Sequence, residues 1–150
     1  METTLIILKP DAVDRRLVGE IISRFEQKGL RIAGLKLATI SRETAEKHYE
    51  AHRGKPFYEG LLRFVTGGPV VLMAVAGTRA IEVARKLMGK TFAHQAEAGT
   101  IRGDLGVSSQ FNLIHGSDSP EAAERELKLF FAPHEIIDYP TSDARWLMDP

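Results

Sequence analysis

Four short apolar runs, separated by stretches whose apolar residues recur every three or four positions, constrain this chain more than any other feature. Thr4 to Leu8 has Ile6 and Ile7 at its centre and stops before Pro10, which reads as a buried strand. Leu30 to Ile40 alternates imperfectly, with Gly34 marking a bulge. Val70 to Ala76 is apolar throughout and ends at Gly77, and Gln110 to His115 supplies the fourth run. Between them, Leu17, Ile21, Ile22 and Phe25 fall on one helical face closed by Gly29, and Ser41 caps a helix over 42–52. Pro56 opens a helix through Phe64, residues 79–88 form another, and Ser119-Pro120 opens the last, to about Phe131. Residues 89–109 follow neither period, which is long for an irregular segment inside a folded domain unless it has a functional task.

The order strand, helix, strand, helices, strand, helix, strand, helix is that of two βαβ-like halves. It predicts a ferredoxin-like α+β fold: a four-stranded antiparallel sheet covered by helices, carrying a long loop and a C-terminal tail in one domain over 1–150. The tail after Ala132 is turn-rich, yet Ile136, Ile137, Tyr139, Trp146 and Leu147 lead us to expect that it packs on something.

Composition narrows the functional classes. With 20 basic and 20 acidic side chains the net charge is zero, and the halves differ only as +3 (12 − 9) against −3 (8 − 11). That is too little for a nucleic-acid tail or a membrane patch, so an anionic ligand must be held by a few placed residues. The longest apolar run is far below the ~20 residues that span a bilayer. No membrane or nucleic-acid partner is expected, and Glu2 before the first apolar run is unlike a signal peptide. The absence of cysteine removes disulfides and thiolate chemistry and fits a cytoplasmic protein.

Several patterns are decoys. Gly89-Lys90-Thr91 resembles the end of a phosphate-binding P-loop, but Ala84 stands where the opening glycine belongs and a helix precedes it. His48 and His52 have zinc-pair spacing, but Tyr49 follows where a metalloprotease would carry glutamate, so a packing or solvated pair is the better reading. Asn112 to Pro120 differs in kind. It sets His115 at the end of an apolar strand, before a glycine-led turn and a capped helix start, where free backbone N–H groups can hold an anion. An imidazole with an ordinary pKa of about 6.5 can serve there as a structural group, a general base or a nucleophile.

Asn112 to Ser119 resembles the active-site signature of the nucleoside diphosphate kinases. The resemblance continues in Ile7-Leu8-Lys9-Pro10-Asp11-Ala12-Val13, in Leu17-Val18-Gly19-Glu20-Ile21-Ile22 and in Gly99-Thr100-Ile101-Arg102-Gly103-Asp104, in matching order along roughly residues 3–140. It implies a ping-pong kinase that passes the γ-phosphoryl of a nucleoside triphosphate to a histidine and then to a nucleoside diphosphate, with Mg²⁺ carried mainly by the nucleotide phosphates and no metal held by the protein. By this resemblance His115 is the nucleophile, through Nδ1, while Glu126 holds its other ring nitrogen with support from Ser117. Lys9 contacts the transferring phosphoryl group and Tyr49 lines the pocket. Arg85, Thr91 and Arg102 hold the phosphate chain, Asn112 and Lys9 the sugar hydroxyl, and Phe57 stacks on the base, a contact that tolerates every base. The chain departs from the family pattern at Phe92-Ala93-His94-Gln95-Ala96, where relatives commonly have Asn-Pro-Ala after the threonine, and at Ser109, where an apolar residue usually covers the base. The long tail resembles that of members forming hexamers rather than tetramers. The competing reading is a nucleotide-binding module without turnover, which requires the loss of a catalytic residue.

Overall fold

The continuous apolar character of two strands is explained by their position at the centre of the sheet. The computed structural model describes residues 1–150, and its four strands are β1 (Glu2–Leu8), β2 (Arg31–Ala38), β3 (Val70–Gly77) and β4 (Ile114–Gly116). They lie in the order β2-β3-β1-β4, every neighbour antiparallel, which is the ferredoxin-like arrangement expected. β1 and β3 are covered on both faces, so each contributes alternate residues to two cores. Ile6, Leu8, Val71, Met73 and Val75 pack against α1 (Pro10–Asp14), α2 (Val18–Lys28), α5 (Ala80–Met88) and α6 (Ile101–Leu105) through Ala12, Ile21, Phe25, Ala84 and Ile101. Leu5, Ile7, Leu72 and Ala74 face α3 (Arg42–His48), α4 (Tyr58–Val65) and α7 (Pro120–Phe130) through Ala45, Leu62, Val65 and Phe130. A short α8 (Ala144–Leu147) closes the chain.

Most of the expected boundary signals are present, but Pro56 does not open the next helix: α4 begins at Tyr58 after an N-cap at Phe57. Gly29 ends α2 with φ +100°, a left-handed conformation that favours glycine, and the Leu147 side chain lies over it. The bulge falls between Ile32 and Gly34, and the displaced Ala33 carbonyl accepts the Ile137 N–H at 2.8 Å, docking the tail on β2. Ser41 accepts from Thr44 N–H and Ser119 from Ala122 N–H, each at 3.1 Å.

One expectation is extended and three more are corrected. Pro10 not only stops β1 but opens α1, since proline's fixed φ suits a first helical position. The helix expected over 42–52 ends at His48 and continues as a single tighter turn, Glu50–His52. The loop 89–109 contains such a turn at Ala93–Gln95 and all of α6, whose Thr100 hydroxyl accepts Gly103 N–H at 2.9 Å, and five residues are too few to show a period. The fourth strand is not 110–115 but Ile114–Gly116, because Leu113 turns the backbone with φ +74°. In the tail, Tyr139 packs on Arg31, while Trp146 stays 74% exposed with only Arg145 over its ring.

The N-cap of α7 fixes the start of the helix that reaches back to His115. Ser119→Ala is expected to lower unfolding free energy by about 1 kcal/mol, read by urea denaturation; an unchanged midpoint would show that Pro120 alone starts the helix.

Candidate active site

The site is assembled on one face of the sheet where β4 meets β1, with α3 and α7 above it. His115 is the middle residue of β4, opposite Ile7, and the pleat turns its side chain toward the core that holds Phe130 and Tyr49. Glu126, one helical turn before Phe130 on α7, reaches down to it: His115 Nε2–H donates to Glu126 Oε1 at 2.8 Å. The Ser117 hydroxyl donates to the same oxygen at 2.8 Å and accepts Leu5 N–H at 3.3 Å, tying the carboxylate to β1. Burial pushes the Glu126 carboxyl up, but the hydrogen bonds from His115 and Ser117 and the nearby imidazoles outweigh it, so it lies below its ordinary value. An ionised carboxylate only accepts, so the imidazole proton sits on Nε2 and Nδ1 keeps its lone pair.

Lys9 follows β1 at the N-cap of α1, and only 9% of its surface is exposed. Its Nζ donates to Asn112 Oδ1 at 2.8 Å, and Asn112 Nδ2 in turn donates to Thr91 O at 3.1 Å. Burial, with the Arg102 charge beside it and Asp11 opposing, brings the Lys9 ammonium down to about 8. Arg102 is buried and donates to three carbonyls: Nε to Asn112 O (3.1 Å), Nη1 to Gly89 O (3.0 Å) and Nη2 to Ile114 O (2.6 Å). Burial and the neighbouring Arg85 pull it down to about 10, so it remains a cation at neutral pH. Arg85 Nη1 donates to Gly116 O at 3.2 Å, so the two guanidinium groups flank β4. Tyr49 is buried, and burial followed by the Glu126 charge lifts its hydroxyl to about 12, which keeps it a proton donor.

The residues proposed from sequence therefore converge in two groups, one around the Glu126 carboxylate and one around Lys9, Asn112 and Arg102. Thr91 joins through its backbone. Phe57 stands apart at the N-cap of α4, 51% exposed, with its ring 5.3 Å from that of His52 and Lys55 Nζ 5.7 Å from its centroid. His52 in turn lies 6.2 Å from Tyr49, so Phe57 marks the outer end of a row of rings leading inward. At the departures from the family pattern, Phe92 is exposed and His94 Nδ1 lies 3.5 Å from Ser109 Oγ, which sets a polar pair beside the loop.

His48 and Asp11 were given no part by the sequence. The reading of His48 as a packing residue survives, but what it packs on is the candidate nucleophile: its ring stands edge-on to His115 with centroids 4.7 Å apart, and against Tyr49 and Phe130 at 4.6 and 5.3 Å. Both its nitrogens are buried without a partner. Burial, reinforced by His115, takes its imidazole down to about 3, so it stays neutral. His48, His115 and Glu126 offer ligand atoms within 4.8 Å of one another, the one such cluster in the chain. Magnesium prefers oxygen ligands in octahedral geometry, and the single carboxylate here is already held by His115 and Ser117. These residues do not fit a resident magnesium ion.

With the site in view, comparison with known proteins decides the family. The family described as nucleoside diphosphate kinase matches residues 2–136. The chain belongs to the nucleoside diphosphate kinase family. The nucleoside diphosphate kinase of Thermomicrobium roseum is 60% identical over 148 residues, covering 99% of both chains. That of Pyrococcus furiosus is 56% identical over 142 residues, covering 93% of this chain and 88% of its own. Among solved structures, the halophilic nucleoside diphosphate kinase from Halobacterium salinarum in complex with CDP superposes with a TM-score of 0.96 at 45% identity, covering 99% of both chains. A family-wide sheet frame thus carries the constellation of His115, Glu126, Lys9, Asn112 and Arg102. No helix of the chain is long and apolar enough to cross a membrane.

Because His48 is depressed in the folded state, the unfolded chain takes up a proton there that the folded chain refuses. Its contribution to stability is intact above pH 6.5 and is lost as pH falls toward 3. His48→Phe keeps the ring and removes the titration. It is expected to match or exceed wild type in stability at pH 7 and to flatten the decline between pH 6 and 4, where one group supplies at most about 1.4 kcal/mol per pH unit. Chemical denaturation across that range reads it, and an unchanged slope would exclude His48 as the titrating group.

Proposed function

We propose that this chain is an active nucleoside diphosphate kinase that carries the phosphoryl group on His115 Nδ1. The observation that carries the reading is the Nε2–H to Glu126 bond of 2.8 Å, which leaves Nδ1 as the ring nitrogen with a free lone pair. In the first half-reaction the Nδ1 lone pair forms a bond to the γ-phosphorus of a nucleoside triphosphate. The bond from that phosphorus to its bridging oxygen breaks, and the nucleoside diphosphate leaves with the electron pair. A second diphosphate reverses the step, so the transfer is ping-pong. Glu126, with Ser117, fixes the ring and stabilises the cationic imidazolium that forms as phosphorus bonds to Nδ1. Lys9, Arg85 and Arg102 neutralise charge spread over phosphate oxygens, which is most of what phosphoryl transfer asks of a protein. The Tyr49 hydroxyl and Thr91 line the phosphate path, Asn112 with Lys9 receives the sugar hydroxyl, and Phe57 offers its exposed ring to the base.

Magnesium enters with the nucleotide, as part of the substrate, since the Glu126 carboxylate beside His115 is committed to His115 and Ser117. The substrates are nucleoside tri- and diphosphates of any base. A cytoplasmic setting suits a cysteine-free chain acting on nucleotides. The hexamer is favoured over the tetramer as the assembly, on the strength of the long tail whose Trp146 stays largely exposed in its own chain. The alternative of an inactive binding module has no support: each candidate catalytic residue is present and every relative named above is a kinase.

The deciding experiment is intact-protein mass after brief exposure to ATP and magnesium. Wild type is expected to gain one phosphoryl group and lose it to any nucleoside diphosphate, while His115→Ala gains none yet still binds nucleotide. A group retained in that variant overturns the choice of nucleophile, and none on folded, nucleotide-bound wild type overturns the kinase. Phe57→Ala is expected to raise KM for every base alike, by roughly 5–150-fold if stacking contributes about 1–3 kcal/mol. Steady-state kinetics with four triphosphates would expose a base-selective loss, which stacking does not predict.

A further inference from the structure

Between Asn112 and His115 the backbone does something costly. Ile114 N–H donates to Asn112 O at 2.8 Å, closing a three-residue γ-turn around Leu113, whose φ is +74°. A γ-turn with positive φ at its centre is rare, and for a leucine with a full side chain it is strained. Such strain persists only where surrounding contacts over-determine the backbone. Here the turn is gripped from three sides. Lys9 N–H donates to Leu113 O at 2.8 Å, Arg102 donates to the carbonyls on both flanks, and the Asp11 carboxylate accepts Leu113 N–H through Oδ2 at 3.0 Å.

We infer that Asp11 is a positioning residue for phosphoryl transfer: by holding the Leu113 turn it sets Asn112 against Lys9 and His115 against Glu126. Four observations carry this. Asp11 is the only side chain that holds Leu113 N–H, and it does so across 102 residues of sequence. It lies on α1 two residues beyond Lys9, so one short helix positions both the turn and the ammonium. Its second oxygen, Oδ1, is buried without a partner, so the carboxylate carries a desolvation cost beside its bond to Leu113 N–H. Finally, it is the carboxylate that opposes burial and Arg102 at the Lys9 ammonium, and so keeps that group charged to higher pH. The other titratable group that senses Lys9 is His48, which stays neutral. A displacement of about 1 Å at a reacting group can cost on the order of 100-fold in rate, and a relaxed turn at Leu113 moves the nucleophile's strand directly.

This inference rests on the reading of His115 as nucleophile and of Lys9 as the phosphoryl contact. The test compares full-length wild type, Asp11→Ala, Asp11→Asn and Lys9→Arg in rapid-quench measurements of phosphoenzyme formation from ATP and magnesium, across pH 6 to 10. Asp11→Ala is expected to slow the step about 10–100-fold while remaining folded at the assay temperature. Asp11→Asn retains an acceptor for Leu113 N–H and is expected to recover to within about fivefold of wild type, a neutral bond replacing a charge-assisted one. A contribution to fold stability alone would lower the melting temperature of Asp11→Ala without slowing its folded fraction, and that result overturns the inference, as does an Asp11→Asn variant no faster than Asp11→Ala. Wild type is expected to lose activity above about pH 8 as Lys9 gives up its proton, and Asp11→Asn to lose it at lower pH, because the carboxylate that raised the Lys9 value is gone. An unmoved limb in Asp11→Asn overturns the electrostatic part of the role, and decides the matter alone if Asp11→Ala does not fold. A limb that persists in Lys9→Arg, or labelling that persists in His115→Ala, instead marks a failure of the catalytic reading on which the inference stands.

Discussion

One buried carboxylate organises this molecule. Glu126 is nearly inaccessible, and a charge in that position is tolerated only because two donors, His115 within β4 and Ser117 just beyond its end, converge on it. Its bond to His115 fixes a tautomer, and its bond to Ser117, which in turn accepts from β1, makes α7 and the sheet a single rigid body at this point. Removing either donor would leave a charge buried and under-satisfied, whereas removing the carboxylate would free the imidazole to turn. The local stability of the sheet's end and the orientation of its one reactive nitrogen are thus the same interaction.

The rest of the site follows from the pleat. Because β1 is covered on both faces, its alternate residues cannot exchange sides without burying the wrong set in each core, and the register that places Ile7 beside His115 is fixed by packing far from the chemistry. Lys9 leaves the last pleat of the same strand. Two functional side chains separated by 106 positions in sequence are therefore placed on adjoining strands with little freedom. The cations around them are held by backbone carbonyls rather than by carboxylates, which leaves their charge uncompensated and available to an anion.

Much of this was legible in the sequence because it depends on local periodicity. The continuous run of Val70 to Ala76 requires a strand buried on both sides, and the serines at positions 41 and 119 mark helix starts by a mechanism that does not depend on tertiary context. The motif around His115 likewise announced a site. What stayed hidden was tertiary. Nothing local to Leu113 signals a positive φ, since leucine avoids it, and the turn exists only because Asp11, Lys9 and Arg102 arrive from distant segments. α6 was hidden by its brevity. His48 was dismissed as one of a spaced pair, correctly as to metal spacing, yet its importance lies in the ring it leans on, which only the packing of α3 over β4 reveals.

The arginines beside β4 have a consequence apart from nucleotides. β4 is the last strand of the sheet, and because its Leu113 and Ser117 backbone bonds turn inward to β1, the carbonyls of Ile114 and Gly116 face outward. An exposed strand edge of this kind is a template on which another chain can add a strand. Here Arg102 closes the first of these carbonyls and Arg85 the second. The border is therefore sealed by two positive charges carried on α5 and α6, which occupy the carbonyls that an added strand would need.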